Sequence, residues 1–315
     1  EIYTLSLHDA LPISTSWTRT GRRNRFSPPS CAVWRKRVLS EERKRPATGL
    51  VLTLNGASRL EACLKSLDFC QELLVVDSGS TDETVKIAEA CGARVLVNRW
   101  EGPARQFAFA FRHVSTPWVV SLDQDEALSP ELRASIMAAL ADPGECGAFL
   151  CPRASFYFDR FLRHSGWYPD LLPRVFRPAE TDVHVSGPHY GFRPRGKTMR
   201  LAGDIMHYPY ENMRQHVEKM NYYTQVAAEE MYGCGKCSGL GAAFGHGLAR
   251  FLKIYIFRRG FLDGRAGFAL AVNSFFYAFQ KYARLAEMRA TPKSSCRKKT
   301  VTLTLTDTVR PGRGW

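Results

Sequence analysis

From Gly49 onward the chain alternates short apolar runs with stretches whose apolar residues recur three or four positions apart. Leu50 to Leu54 is a run of strand length that stops at Asn55-Gly56, after which Leu60, Leu64 and Leu67 share one helix face. A second run, Leu73 to Val76, ends at Asp77. Ser80 and Glu83 then have the spacing of a capping box, predicting a helix that ends before Gly92. A strand over 93–97, a helix over 103–114 and a strand over 118–122 ending at Asp123 follow. Ser129-Pro130 opens another helix, with proline at its first position, which stops near Asp142-Pro143-Gly144. Strands alternating with helices predict an α/β fold built on a mostly parallel, doubly wound sheet.

The texture changes after Gly147. Residues 147–210 are rich in aromatics, proline, arginine and glycine, which predicts short antiparallel strands and loops over one end of the sheet. From Glu211 to Met288 the pattern is helical, with two strongly apolar stretches, FGHGLARFLKIYIFRRGFLDG and AGFALAVNSFFYAFQKYARL, that carry Arg or Lys at their ends. Such helices lie in an anionic membrane interface or pack as a hairpin on the sheet, and one pair can do both. The longest apolar segment, Gly267 to Phe279, is shorter than the ~18 residues of a spanning helix and contains Asn273. Residues 1–46 and 293–315 have no period and read as basic tails, disordered or foreign to the domain. The expected organisation is therefore a catalytic domain over 47–210, a helical C-terminal region over 211–292, and the two tails.

Locating the charge changes what it means. The net charge of +14 suggests a polyanion binder, but residues 1–46 carry ten Lys/Arg against four acids and 293–315 six against one. The middle of the chain is close to neutral, and no motif interleaves aromatics with base-reading side chains. A nucleic-acid partner is not expected. Nine cysteines, several in apolar patterns, read as reduced thiols of a cytoplasmic protein; the Cys234/Cys237 pair lacks the second pair or histidines of a zinc site. The N-terminal stretch lacks the layout of a signal peptide.

The candidate chemistry sits at the strand ends. Asp77 and, 46 residues later, Asp123 and Asp125 close apolar runs and so fall at the carboxyl edge of the sheet, where open α/β sheets bind ligands. Two carboxylates one residue apart can hold a hard divalent cation, Mg²⁺ or Mn²⁺, that keeps positions free for phosphate oxygens. Glu126 reads as a cap or solvated turn, and Asp82 as an acid favouring the first turn of a helix.

LTLN at 52–55, VVDSGSTDET at 75–84, Trp100-x-Gly102 followed by Gln106, WVVSLDQDE at 118–126, GWYPD at 166–170 and RRGFLDGRAGF at 258–268 together resemble bacterial inverting family-2 glycosyltransferases, in particular lipopolysaccharide inner-core β-glucosyltransferases. The resemblance runs from about 49 to 287. It implies a Rossmann-like GT-A fold with a C-terminal helical region that associates with a membrane surface. It also implies a divalent cation, a nucleotide-sugar donor such as UDP-glucose, a lipid-linked glycan acceptor, and a peripheral location on the inner face of the bacterial cytoplasmic membrane. Polyprenyl phosphate or another surface polysaccharide is the alternative acceptor, and a basic nucleic-acid-binding protein the remote alternative.

On that resemblance Asp77 would hydrogen-bond the base, with Thr53 and Asn55 lining the same pocket. Asp123 would contact ribose and metal, Asp125 the metal, and His207 metal or diphosphate. Arg105 and Gln106 would reach the diphosphate or the sugar. Inverting transfer also needs a general base near the acceptor. Asp170 and His189 are the candidates, with His184 and Asp204 also available; relatives carry Val-His-Glu where this chain has His189-Tyr190, so Tyr190 stands at the place of the expected glutamate. Trp167 and Tyr168 offer flat faces for a sugar ring.

Overall fold

The computed structural model describes residues 44–186 and 189–290. Four parallel strands form the first half of the sheet: β1 (Arg45–Thr53), β2 (Cys70–Asp77), β3 (Arg94–Val97) and β4 (Trp118–Asp123). They are linked by α1 (Leu60–Ser66), α2 (Thr84–Ala90) and α3 (Pro103–Phe111). A short strand β5 (Glu126–Leu128) and helix α4 (Pro130–Ala141) lead into β6 (Cys146–Tyr157), β7 (Arg160–Phe161), β8 (Asp170–Phe176), β9 (Thr181–Ser186), β10 (His189–Pro194), β11 (Lys197–Arg200) and β12 (Ile205–His207). The main sheet runs β3-β2-β1-β4-β8-β6-β12-β5, with β7 and β11 also on β6, while β9 and β10 form a separate hairpin.

Successive residues of β1 point to opposite faces, and both faces are covered. Val51 packs with Leu60, Leu64, Trp118, Leu132 and Ile136; Leu50 packs with Leu74, Phe107, Val119 and Phe176. Fully burying a side chain such as Phe107 or Phe176 contributes about 2–3 kcal/mol. The sheet is held rigid by these layers, so the positions of its strand ends are fixed.

Several predicted boundaries shift. β1 begins at Arg45, inside the stretch expected to be tail, and pairs from its first residue with Cys70. Helix α2 starts at Thr84, and no capping box forms: Glu83 at the N-cap makes no side-chain cap bond, because Ser80 gives its hydroxyl to Asp77. Ser129 does cap α4, accepting from Leu132 N at 3.1 Å. Helix α3 stops at Phe111, three residues early. In the second half β8 is antiparallel to β4 and β6 as expected, but β11 and β12 run parallel to β6.

The predicted helical region is α5 (Met213–Gly233), α6 (Leu240–Leu252) and α7 (Gly264–Ala290). A π turn over Lys253–Phe257, a left-handed Arg259 and a 3-10 turn over Gly260–Asp263 reverse the chain between α6 and α7. Gly267 fits because a Cβ there would lie 1.9 Å from the Gly260 carbonyl oxygen. Asp263 is 3% exposed. It accepts from the backbone N–H groups of Arg163 and His164 and from Ser165 Oγ at 2.7 Å, tying the helical reversal to the loop before β8. Among the described residues no helix is long and apolar enough to cross a membrane. The expectations for residues 1–43 and for the C-terminal tail lie outside the described residues.

Candidate active site

Strands β1, β2 and β4 end side by side, and their last residues are joined by short-range turns. Asp77, 2% exposed, accepts through Oδ2 from the backbone N–H groups of Gly79 and Ser80, both at 2.9 Å. Gly79 has φ +99°, which lets the chain bend back onto the carboxylate. The Ser80 hydroxyl donates to Asp77 Oδ1 and accepts from Asn55 N at 2.8 Å. Asn55, itself left-handed at φ +51°, accepts from Thr81 N through Oδ1. Thr53 donates to Gln124 Oε1 at 2.6 Å, so the middle residue of Asp123-Gln124-Asp125 stitches the end of β4 to the end of β1. Thr53, Asn55 and Asp77 therefore lie together on one edge. Asp82 accepts from Ala57 N and Thr84 N, a turn-holding role.

Two further candidates are placed differently. Gln106 is fully buried and clamps the β2 and β3 loops, accepting from Asn98 Nδ2 at 2.7 Å and donating to Ser78 Oγ at 3.1 Å. Its amide is spent inside the fold. Arg105 is an exposed residue of α3 that pairs with Glu101 one turn earlier at 2.6 Å.

Beside this edge lies a chain of alternating charge that the sequence did not reveal. Arg174, on β8, donates from Nη2 to Asp123 Oδ2 at 2.6 Å and to Glu126 Oε1 at 3.0 Å. Arg153, on β6, donates to Glu126 Oε1 at 3.1 Å and, through Nε and Nη2, to Asp170 Oδ2 at 3.1 and 2.6 Å. Glu126 is 1% exposed and also accepts from Asp123 N at 3.0 Å, so it is a buried bridge and not a solvated cap. Arg174 Nη1 donates to the Tyr190 hydroxyl, which in turn donates to Asp123. Register explains the convergence: Arg153 faces Asp170 across the β6–β8 ladder.

Burial and pairing set the protonation states. Burial alone would raise the Asp123 carboxyl, but Arg174 and Tyr190 hold it down at about 2. Glu126 is raised, because burial and the Asp123 charge outweigh the help of Arg174 and Arg153. Desolvation would lower Arg174, but its two carboxylates keep it a permanent cation. Burial raises the Tyr190 phenol above its usual range. A neutral phenol that donates to a carboxylate has no capacity to take a proton. Tyr190 thus supplies no base at the position where a glutamate was expected.

Asp125 and His207 form the other arm. β12 lies between β5 and β6, which brings His207 Nε2 to 3.7 Å from Asp125 Oδ2. Ser155 Oγ holds the second ring nitrogen, Nδ1, at 3.0 Å, and the Tyr208 N–H holds the Asp125 carbonyl at 3.0 Å. A histidine oriented through its far nitrogen and facing a carboxylate is a donor set that fits a divalent cation. Asp123, beside them, accepts from Arg174 through Oδ2 and from Tyr190 through Oδ1. Among the described residues no three His, Cys, Asp or Glu side chains form a cage.

Of the proton acceptors, Asp170 is tied to the network through Oδ2 alone, and its side chain is 42% exposed. Asp204 pairs with Arg163 at 2.7 Å, outside the network. The His184 ring packs against Gly191, and its buried Nδ1 has no hydrogen-bond partner among the described residues. The side chain of His189 lies outside the described residues. Trp167 packs edge-on to Tyr157, while Tyr168 stacks under Arg163.

A mostly parallel sheet whose acidic carboxyl edge ends in Asp77 and Asp123-x-Asp125, continued by a helical C-terminal region, is a GT-A fold. Residues 50–201 match the model of glycosyl transferase family 2, so the chain carries a glycosyltransferase domain of that family. An uncharacterised glycosyltransferase of Rickettsia bellii is 29% identical over 273 residues, covering 80% of this chain and 88% of that protein. The lipopolysaccharide core biosynthesis glycosyltransferase LpsC of Rhizobium meliloti is 28% identical over 260 residues, covering 78% of this chain and 94% of that protein. Among solved structures, glucosyl-3-phosphoglycerate synthase of Mycobacterium tuberculosis in complex with Mn²⁺, UDP-glucose and phosphoglyceric acid is 25% identical over 36% of this chain and 44% of that one. The TM-score is 0.30.

Proposed function

We propose that this glycosyltransferase moves a hexose, glucose in our reading, from a nucleoside-diphosphate sugar to a lipopolysaccharide core acceptor or related cell-envelope glycan, with inversion. The observation that carries the reading is the meeting of Asp125 and His207 at 3.7 Å on the same sheet edge as Thr53, Asn55 and Asp77. The turn residues at the ends of β1 and β2 hold the nucleoside, and Asp125 with His207 would hold a divalent cation. Two protein ligands leave room for phosphate oxygens. Such a cation supplies Lewis-acid neutralisation of the departing diphosphate.

Asp170 is the general base of this reading. Its Oδ1, which makes no hydrogen bond among the described residues, takes the proton of the acceptor hydroxyl as that oxygen bonds to the anomeric carbon. The bond from the anomeric carbon to the diphosphate breaks on the opposite face. Arg153, gripping Oδ2 through Nε and Nη2, fixes the orientation of the carboxylate. Asp123 positions Arg174 and, through Glu126 and Arg153, the base; it is not a metal ligand here. The acceptor class is supported by the lipopolysaccharide-core relative.

The exposed stripe of α6, Leu240, Phe244, Leu248 and Leu252 at four-residue spacing, runs on into Ile256 and Phe257. With Arg258 and Arg259 beside it, this face suits the surface of an anionic membrane. Assays of UDP- and ADP-sugars with Mn²⁺ or Mg²⁺, on a deacylated lipopolysaccharide-core acceptor, test the reading. Metal-dependent release of nucleotide with transfer to the glycan is expected. Absence of turnover with every donor, with UDP affinity unaltered in Asp125→Ala, defeats it.

A further inference from the structure

The α6–α7 face carries a cationic cavity that the donor chemistry does not use. A space of about 410 Å³ is lined by His246, Arg250, Lys253, Tyr277, Lys281 and Tyr282. His246, Arg250 and Lys253 fall at i, i+4 and i+7 and so share one face, while Tyr277 and Lys281 are one turn apart on α7. Counter-charge is sparse among the described residues: between Cys234 and Ala286 the only acid is Asp263, which is buried against Arg163, His164 and Ser165, and Glu230 lines the neighbouring space rather than this one. Arg250, Lys253 and Lys281 make no ion pair among the described residues. Lys281, half-buried, is held below the usual lysine range by its burial and by the charges of Arg250 and Lys236. Cations crowded into a cavity without counter-charge are a site awaiting an anion.

This cavity opens onto a second. Arg250 and Tyr277 line both it and a neighbouring space of about 450 Å³ whose walls include Trp167, Tyr210, Tyr223 and Asn273. Aromatic faces with a few amide and hydroxyl groups are the lining that a sugar ring needs, since its C–H face stacks while its hydroxyls hydrogen-bond. Asn273 and His216 both reach the Tyr157 hydroxyl, at 2.8 and 2.9 Å, and His216 stacks on Tyr210, so the wall is pre-formed. Glu230 is the one acid of this second space, and it lies on the α5 side. Trp167 precedes Asp170 by three residues in the loop that Asp263 anchors.

We propose that the two spaces form one subsite for a phosphorylated saccharide: the ring lies in the aromatic cavity, and its phosphate sits among Arg250, Lys253 and Lys281. As the acceptor subsite it rests on the glycosyltransferase reading above and specifies that the acceptor carries a phosphate group. The subsite is separate from the donor edge, so binding there requires neither nucleotide nor metal.

Isothermal titration of the intact chain without nucleotide or metal, using glucose 6-phosphate, glucose, inorganic phosphate and phosphatidylglycerol vesicles in turn, tests it. Glucose 6-phosphate is expected to bind at least about tenfold more tightly than glucose, and inorganic phosphate to compete with it, as expected for charge-assisted phosphate contacts. Arg250→Gln and Lys281→Gln should each remove that preference, while Lys281→Arg keeps it. Unfolding midpoints of the variants equal to that of the parent show that the loss is not misfolding. Equal binding of the two sugars, a preference that survives both glutamine variants, or binding of vesicles alone overturns the subsite. If glucose 6-phosphate binds as described but UDP does not bind at the donor edge, the subsite stands and the glycosyltransferase reading of it fails.

Discussion

The two halves of the sheet build their functional groups in different ways. At the ends of β1 and β2, Thr53, Asn55 and Asp77 are held by hydrogen bonds to backbone amides, hydroxyls and the Gln124 amide of adjacent strand ends. Beyond them, Asp123 and Glu126 are joined charge to charge with Arg153, Asp170 and Arg174 of β6 and β8. The first half presents neutral turns around one carboxylate; the second is a buried run of alternating charges. A turn edge tolerates a lost contact because water and neighbouring amides replace it. A buried ionic chain does not, because removing one member leaves its partner charged and dry.

The rate should respond most to Asp170. Asp170→Asn keeps the shape but removes the proton acceptor, and kcat should fall about 10²–10⁴-fold with UDP affinity unchanged. If the activity is kept, the base lies elsewhere, with His189 next in line. Stability should respond most to Glu126: Glu126→Ala strands Arg174 and Arg153 without their shared carboxylate and should cost about 3–5 kcal/mol in urea unfolding. A loss under about 1 kcal/mol there would show that water reaches the network and that the contrast between the halves is overstated.

The acid limb separates the halves by sign. The Asp123 carboxyl is held near 2 in the folded chain, below its unfolded value, so its contribution is complete above the unfolded range and is lost as pH falls towards 2. Glu126, raised on folding, works in the opposite direction over the same limb. The gap in unfolding temperature between the parent and Asp123→Asn should therefore narrow between about pH 4 and pH 2. A gap independent of pH would remove the Arg174–Asp123 pair from the account. The smallest effect is expected at Arg105, whose exposed pair with Glu101 contributes about 0–1 kcal/mol, so Arg105→Ala should leave both stability and UDP affinity nearly unchanged.

How much of this was legible follows the same division. Apolar periodicity located the first four strands and placed Asp77 and Asp123 at their ends, because each strand there is a continuous buried run. Ser80 was misread as a cap because spacing alone does not say which orphan group a hydroxyl will serve, and Asp77 stood closer. Glu126 was read as a solvated turn because its partners, Arg153 and Arg174, sit on later strands whose register only the folded sheet reveals. A faint signal was present: arginines in otherwise apolar strand segments, CPRASFY and LLPRVF, have no reason to be there without a buried acid. The sequence offers His207 as a candidate, but its meeting with Asp125 depends on β12 inserting between β5 and β6. The amide of Gln106 could not be assigned a direction from sequence at all.

The central claim is that Asp125 and His207 are where the diphosphate and its cation meet, and the affinity of UDP with and without Mn²⁺ tests it most directly. The parent chain should bind UDP at least about tenfold more tightly with Mn²⁺ present, a gain of about 1.4 kcal/mol. Asp125→Ala should keep the metal-free affinity and lose the gain. Equal affinity with and without Mn²⁺ in the parent, or an undiminished gain in Asp125→Ala, would contradict the claim.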